Sequence, residues 1–198
     1  MITIVIVVVA CIFQVIGHIE YNKDFEIEPN TTAWTIWGLT SLIDTWNYSE
    51  MTGDIQKNAL PIVCALACLI TWIICLSRGR FKKLNLENYI SFFLCIAALI
   101  VWKHFGLVKE SNLVLQVDNI ISFIPILYGV AMYPLTEKPR PWMFWTISYA
   151  LGTLVVLLRY QQWQDLLFPL VCAVLHLGVG LLSLRKSRIK QTAEAIII

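Results

Sequence analysis

Seven long runs of apolar residues, separated by short polar stretches, make up most of this chain. They cover Ile2 to Gly17, Thr31 to Tyr48, Ala59 to Ser77, Asn88 to Gly106, Asn112 to Leu135, Arg140 to Leu158 and Leu166 to Leu184. A helix needs roughly 20 mostly apolar residues to cross the hydrocarbon of a bilayer, and fewer where the bilayer thins. Each run meets or approaches that length, the first two being the shortest. A closed barrel also satisfies its backbone in lipid, but its strands alternate polar and apolar residues, and IVIVVVACIF near the start of the chain does not. The pattern predicts an all-α membrane protein with seven transmembrane helices.

The pattern also repeats. Sliding the chain over itself until Trp34 falls on Trp142 aligns Trp34 to Arg80 with Trp142 to Arg188 without a gap, and eleven of those 47 positions are identical. Composition alone would give roughly three or four. Among the identities are Trp34/Trp142, Trp37/Trp145, Gln56/Gln164, Pro61/Pro169, Cys64/Cys172 and Arg80/Arg188, residue types that apolar composition does not force. A three-helix unit has odd parity, so two copies share one direction only if a single helix separates them. The predicted architecture is therefore 3+1+3: a first bundle over residues 1–80, a linker with the fourth helix over 81–110, a second bundle over 111–188, and a cytoplasmic tail over 189–198. Parallel repeats of this kind place a cavity between the halves near the middle of the membrane.

Composition narrows the function. Only 14% of the residues are charged and 58% are hydrophobic, against a charged share of roughly 25% in soluble domains. The net charge of +2 lies in short clusters between the apolar runs, which excludes a nucleic-acid surface. With the N-terminus outside, eleven cations fall on the cytoplasmic side, among them those of RGRFKK and RKSRIK. Lys57, Lys103, Lys109 and Arg159 fall outside, so the positive-inside rule favours N-out and C-in. No Lys or Arg precedes the first apolar run, which reads as a retained helix rather than an export signal. All six cysteines lie within apolar runs, where they act as small packing residues. Cys64, Cys68 and Cys75 share a helix face, but no histidine or carboxylate stands beside them in the sequence, so no metal site is expected.

The repeat, the paired WxxW motifs at Trp34/Trp37 and Trp142/Trp145, and DNIISFIP in the fifth run together resemble the SWEET and PnuC-type superfamily of small 3+1+3 carriers. A local segment with Pro29, Asn30, Ala33, Trp34 and Trp37 is similar to bacterial membrane proteins carrying a PNxxTWxxW-type stretch. The resemblance implies facilitated diffusion of a small organic solute, such as the vitamin precursor nicotinamide riboside. A SWEET-type sugar uniporter is the second substrate class. A non-transporting receptor or accessory subunit is the alternative of a different kind. The chain lacks the Pro-Gln pair of PQ-loop proteins and a mid-helix Asn in the third run, which ranks sugar second.

Candidate contacts follow from chemistry. Tryptophan faces stack on planar rings, and Trp37 and Trp145 lie deeper than Trp34 and Trp142, which stand where interfacial tryptophans also gather. Ionisable groups within a bilayer usually face a wet cavity or a partner, which singles out Asp118, with Asn119 and Ser122 beside it. Asp44 stands close to the outer end of the second run, within reach of water, and Lys103 is a candidate partner for Asp118. His176 occupies the position equivalent to Cys68 and is a candidate for bonding solute, as is Tyr149. Pro125 and its equivalent Gly17 are candidate hinges, because proline frees a backbone carbonyl and loosens its helix. Pro61 and Pro169 are expected in first turns, where proline is welcome. No phosphate-binding loop, nucleophile and base pair or paired carboxylate is visible, so neither an enzyme nor a cofactor is expected. The partners implied are the bilayer and a small-molecule solute, and a homo-oligomer is compatible with the architecture.

Overall fold

The structure is a computed structural model and describes residues 1–23, 31–77, 86–133 and 137–196, without the side chains of 31–33 and 186–196. Seven helices follow one another: α1 (Ile2–Lys23), α2 (Thr31–Thr52), α3 (Ile55–Ser77), α4 (Leu86–Lys103), α5 (Val108–Met132), α6 (Pro139–Leu158) and α7 (Gln164–Ile196). Each lies on one of the seven apolar runs. Six are long and apolar enough to cross a membrane, α7 through its Gln164–Arg185 portion. The chain is thus a multi-pass helical membrane protein.

α2 is 22 residues long but is not among those six, because Thr40, Asp44, Asn47 and Thr52 lower its average hydropathy. All four are buried. Its polarity is turned into the bundle.

α1 is sorted opposite to a helix of a water-soluble protein. It buries Ala10, Gln14, Gly17 and His18 and exposes Ile4, Val5, Val8 and Ile12. Lipid solvates the aliphatic face at no cost, whereas polar groups gain only where they find protein partners. This explains why α1 continues to Lys23, well past Gly17, the expected end of its apolar run. His18 and Tyr21 reach the bundle interior, so the polar stretch continues the helix. Likewise α7 continues as helix to Ile196, through most of the expected tail.

α3 packs on both α1 and α2, whose backbones stay apart and which meet only through side chains such as Tyr21 and Trp34, and α7 packs in the same way on α5 and α6. α1 lies on α6, as α2 lies on α5, while α4 packs on α5 and more lightly on α2. The register repeats as well as the order. Thr40 Oγ1 of α2 donates to Asp118 Oδ2 of α5 at 3.2 Å, and Ser148 Oγ of α6 donates to the Ala10 carbonyl of α1 at 2.8 Å. In the alignment of the two units Thr40 falls on Ser148, and the same offset places Ala10 on Asp118.

The α2–α3 turn is set locally. Gly53 takes φ +58°, a left-handed value that costs an L side chain, and so lets the chain reverse after Thr52. Asp54 Oδ1 then accepts the Gln56 backbone N–H at 2.9 Å, a capping bond at the start of α3. Because α3 starts at Ile55 and α7 at Gln164, Pro61 and Pro169 lie inside these helices, past the first turns expected for them. Proline in a helix interior leaves the carbonyl four residues earlier without its N–H partner. For Pro169 that carbonyl belongs to Asp165, and the Tyr48 hydroxyl donates to it at 2.7 Å.

Candidate functional site

A cavity opens where α1, α2, α3, α5, α6 and α7 converge; α4 contributes nothing to its wall. Its lining repeats in the register seen in the sequence. Trp34 and Trp142 both line it, as do Trp37 and Trp145. Three further pairs, Ser41 with Tyr149, Cys64 with Cys172, and Cys68 with His176, complete the correspondence.

The tryptophans set the cavity's aromatic half. Trp34 meets Trp37 edge-on, with centroids 5.2 Å apart and planes at 83°, and Trp142 meets Trp145 at 5.1 Å and 86°. Edge-to-face contact of this kind adds roughly 0.5–1.5 kcal/mol beyond area burial. The deeper rings differ in how they are held. Trp145 is buried, donates from Nε1 to the Gln14 carbonyl at 3.3 Å and packs over Gly17, where any Cβ would collide with the indole. Gly17 is thus the seat of an aromatic ring, in a helix that continues beyond it. Trp37 is half-buried and stacks on Phe123 at 5.4 Å, with 26° between the planes.

His176 stands among Trp142, Trp145, Tyr149 and Phe123, with centroids 5.0–5.6 Å away. Its Nδ1 lies 2.6 Å from the Cys172 carbonyl, which can only accept, so Nδ1 carries the proton and Nε2 is left for the cavity. Tyr149 Oη lies 2.9 Å from Cys64 Sγ.

The polar half is built on Asp44. This residue is buried and lines the cavity, contrary to the expectation that water reaches it. Its carboxylate accepts from Asn119 Nδ2 at 3.0 Å and from Gln116 Nε2 at 3.2 Å. Asp118 is also buried but does not line the cavity; it is held between α2, α4 and α5 by Thr40 and by Cys95 Sγ at 3.3 Å. One step along α5 turns a side chain by about 100°. Asn119 therefore faces the cavity while Asp118 faces away from it. Ser122 is outside the lining and donates to the Asn119 carbonyl at 2.9 Å, and Pro125 lies one turn further on, half-buried.

Lys103 is not the partner of Asp118. It pairs with Glu50 at 3.3 Å, and its ammonium lies 3.5 Å from the Trp102 ring centroid and 4.2 Å from that of Trp46.

Ion pairs close the end of the bundle near the start of α3. Lys57 Nζ lies 2.6 Å from Asp165 Oδ2, both side chains fully buried, and donates to Gln161 Oε1 at 2.8 Å. Beside them Arg159 Nε meets Asp54 Oδ2 at 2.6 Å. Burial works against the charge on Asp54, but the Arg159 bond and the Gln56 N–H outweigh it and hold the carboxyl below its ordinary range. At the opposite end Trp34 Nε1 donates to Tyr21 Oη at 3.3 Å, and Trp142 Nε1 donates to Glu137 Oε2 at 3.0 Å.

All six cysteines are free thiols. The expectation that no histidine stands beside Cys64 and Cys68 fails across helices: α1 brings His18 within 4.8 Å of both, measured between ligand atoms. His18 follows the first apolar run and so reads as a loop residue. The retained identity of Cys64 with Cys172 is the sequence signal that points to this face.

In comparison with known proteins, the chain matches no protein-family model, no curated protein and no solved structure.

Proposed function

We propose that this protein is a transporter for a small organic solute with a flat ring, moved by facilitated diffusion through alternating access of two equivalent three-helix units. The observation that carries the reading is the cavity wall, in which five pairs of repeat-equivalent positions face the same space. A site lined by equivalent positions lies on the axis relating the units, where rocking of one against the other exposes it to each side in turn. The matched packing of α3 on α1 and α2, and of α7 on α5 and α6, supports the 3+1+3 arrangement. The inward polarity of the 22-residue α2 supports its reading as a seventh span.

The chemistry of the wall suits a ring with hydrogen-bonding substituents. Trp37 and Trp145 offer faces and edges for stacking, and Asp44 with Asn119 offers an acceptor and an amide. Nicotinamide riboside and related vitamin precursors have this character, in keeping with the resemblance to PnuC-type carriers, with simple sugars next in rank. On the positive-inside assignment, the Lys57–Asp165 end is the outer one.

The test is solute uptake by purified protein in liposomes, screened first with nicotinamide riboside, related vitamins and simple sugars. Trp37→Ala and Trp145→Ala are each expected to abolish uptake while the protein remains folded. Normal uptake by both variants would remove the proposal.

A further inference from the structure

The cavity holds a set of donor atoms that solute binding does not use. Cys64 and Cys68 stand one turn apart on α3 with sulfurs 3.9 Å from each other. His18 of α1 completes a buried trio whose ligand atoms all lie within 4.8 Å of one another. Two thiolates bound to one Zn²⁺ at about 2.3 Å, with a tetrahedral angle between them, stand roughly 3.8 Å apart. The observed spacing meets this without moving the helix.

The surroundings are those of a metal-ligating histidine. His18 Nδ1 lies 3.0 Å from Thr71 Oγ1, which also accepts from Asn22 Nδ2 at 2.9 Å. A proton on Nδ1 donated to Thr71 leaves the Nε2 lone pair for the thiol side, the arrangement in which an outer partner fixes the ring and its tautomer. Tyr149 Oη, 2.9 Å from Cys64 Sγ, can donate to a thiolate there. A separate observation points to a ligand: Gln14 is 1% exposed, and its Oε1 has no hydrogen-bond partner among the described residues. Gln14 Nε2 lies 3.5 Å from His18 Nε2, so turning the amide over directs that oxygen at the trio as a fourth donor.

We propose that His18, Cys64 and Cys68, with Gln14 as the fourth donor, bind a divalent thiophilic cation of the Zn²⁺ class. Charge favours the divalent ion over Cu⁺. Two thiolates and a neutral imidazole with Zn²⁺ leave no net charge in the bundle interior, whereas Cu⁺ would leave a buried anion, costly in a low dielectric. Binding is balanced by release of the two thiol protons to water. The site stands independently of the transport reading, because binding is measured without transport.

The full chain, purified in detergent and washed with chelator, would be titrated with Co²⁺ and then with Zn²⁺. One Co²⁺ per chain with a thiolate-to-cobalt charge-transfer band, displaced by one Zn²⁺, is expected. Cys64→Ser and His18→Ala should each weaken Zn²⁺ affinity about 100-fold or more, Thr71→Val about 10–100-fold, and Cys95→Ser not at all. In the unmutated protein, a reading that requires no variant to fold, Zn²⁺ should shield Cys64 and Cys68 from alkylation and leave Cys75 and Cys95 unshielded. Absence of the charge-transfer band, shielding of other thiols alone, or unchanged affinity in folded Cys64→Ser would overturn the site. Retention of Cu⁺ but not of Zn²⁺ would overturn the divalent assignment.

Discussion

Lys57 and Asp165 occupy equivalent positions of the internal repeat, and their side chains meet at 2.6 Å with no exposure to solvent. Equivalent positions of two units touch each other only close to the axis that relates them. Opposite charges at one repeat position therefore bind the two halves together, α3 to α7, at the end of the bundle closed by ion pairs.

Removing one partner of a buried pair leaves an uncompensated charge and costs about 3–5 kcal/mol. Lys57→Met and Asp165→Leu should each lower thermal stability in detergent by such an amount, and the double variant should recover most of it. A charge swap, Lys57→Asp with Asp165→Lys, should also recover part of it, because the two positions are equivalent in the repeat and the swap keeps one buried pair between them. A swap as unstable as the single variants would show that their surroundings do not tolerate the exchange.

Asp44 and Asp118 separate binding from packing. Loss of one hydrogen-bond acceptor in a buried site costs about 1–3 kcal/mol. Asp44→Asn should weaken solute affinity roughly five- to hundredfold and also lower stability by about 1–3 kcal/mol, since either Gln116 or Asn119 loses its acceptor. Asp118→Ala should lower stability by a similar amount, since Thr40 and Cys95 lose their acceptor, but leave solute affinity in the surviving folded protein nearly unchanged. Binding isotherms and melting curves of both variants decide this, and the reverse pattern would place the solute against α4 and α5.

Asp54 gives the fold a dependence on acid. Its carboxyl is held below the ordinary range in the folded state, so its contribution is fully present above the unfolded value, about pH 4, and is lost as pH falls through the folded value. Arg159 is partly exposed, which limits the pair to about 1 kcal/mol. The stability gap between the native protein and Asp54→Asn should hold steady from about pH 8 to 5 and close below about pH 4. A gap that persists in acid would place the contribution elsewhere.

Long apolar runs make all seven helices legible, and six of them are long and apolar enough to cross a membrane. The ungapped repeat makes the tryptophan pairs legible. Residues just outside the runs are not. Lys57, counted among the outer cations, lies in a polar stretch that forms the first turn of α3, and its pairing is visible only once α7 is packed against it. Pro61 is misplaced for the same reason, because the apolar run begins at Ala59 whereas the helix begins at Ile55. His18 belongs to this class too, and Asp44, though inside the second run, lies close enough to its end to read as solvated. Hydropathy averages a polar residue with its neighbours in sequence, whereas its burial is decided by neighbours on other helices. Asp118 differs: the apolar run around it signals burial, but a helix presents every bearing, and only packing tells which one faces the cavity.

Whether the cavity opens to both sides of the membrane is read most directly from a thiol in its wall. Cys172 is buried there and lies outside the trio of His18, Cys64 and Cys68. A variant keeping Cys172 as its single cysteine, inserted in one orientation in liposomes, would be exposed to a membrane-impermeant thiol reagent from the outside and, separately, from the lumen. A carrier working by alternating access predicts labelling of Cys172 from each side, slowed by bound solute. Labelling from one side only, or from neither, would contradict transport and leave a receptor or accessory role.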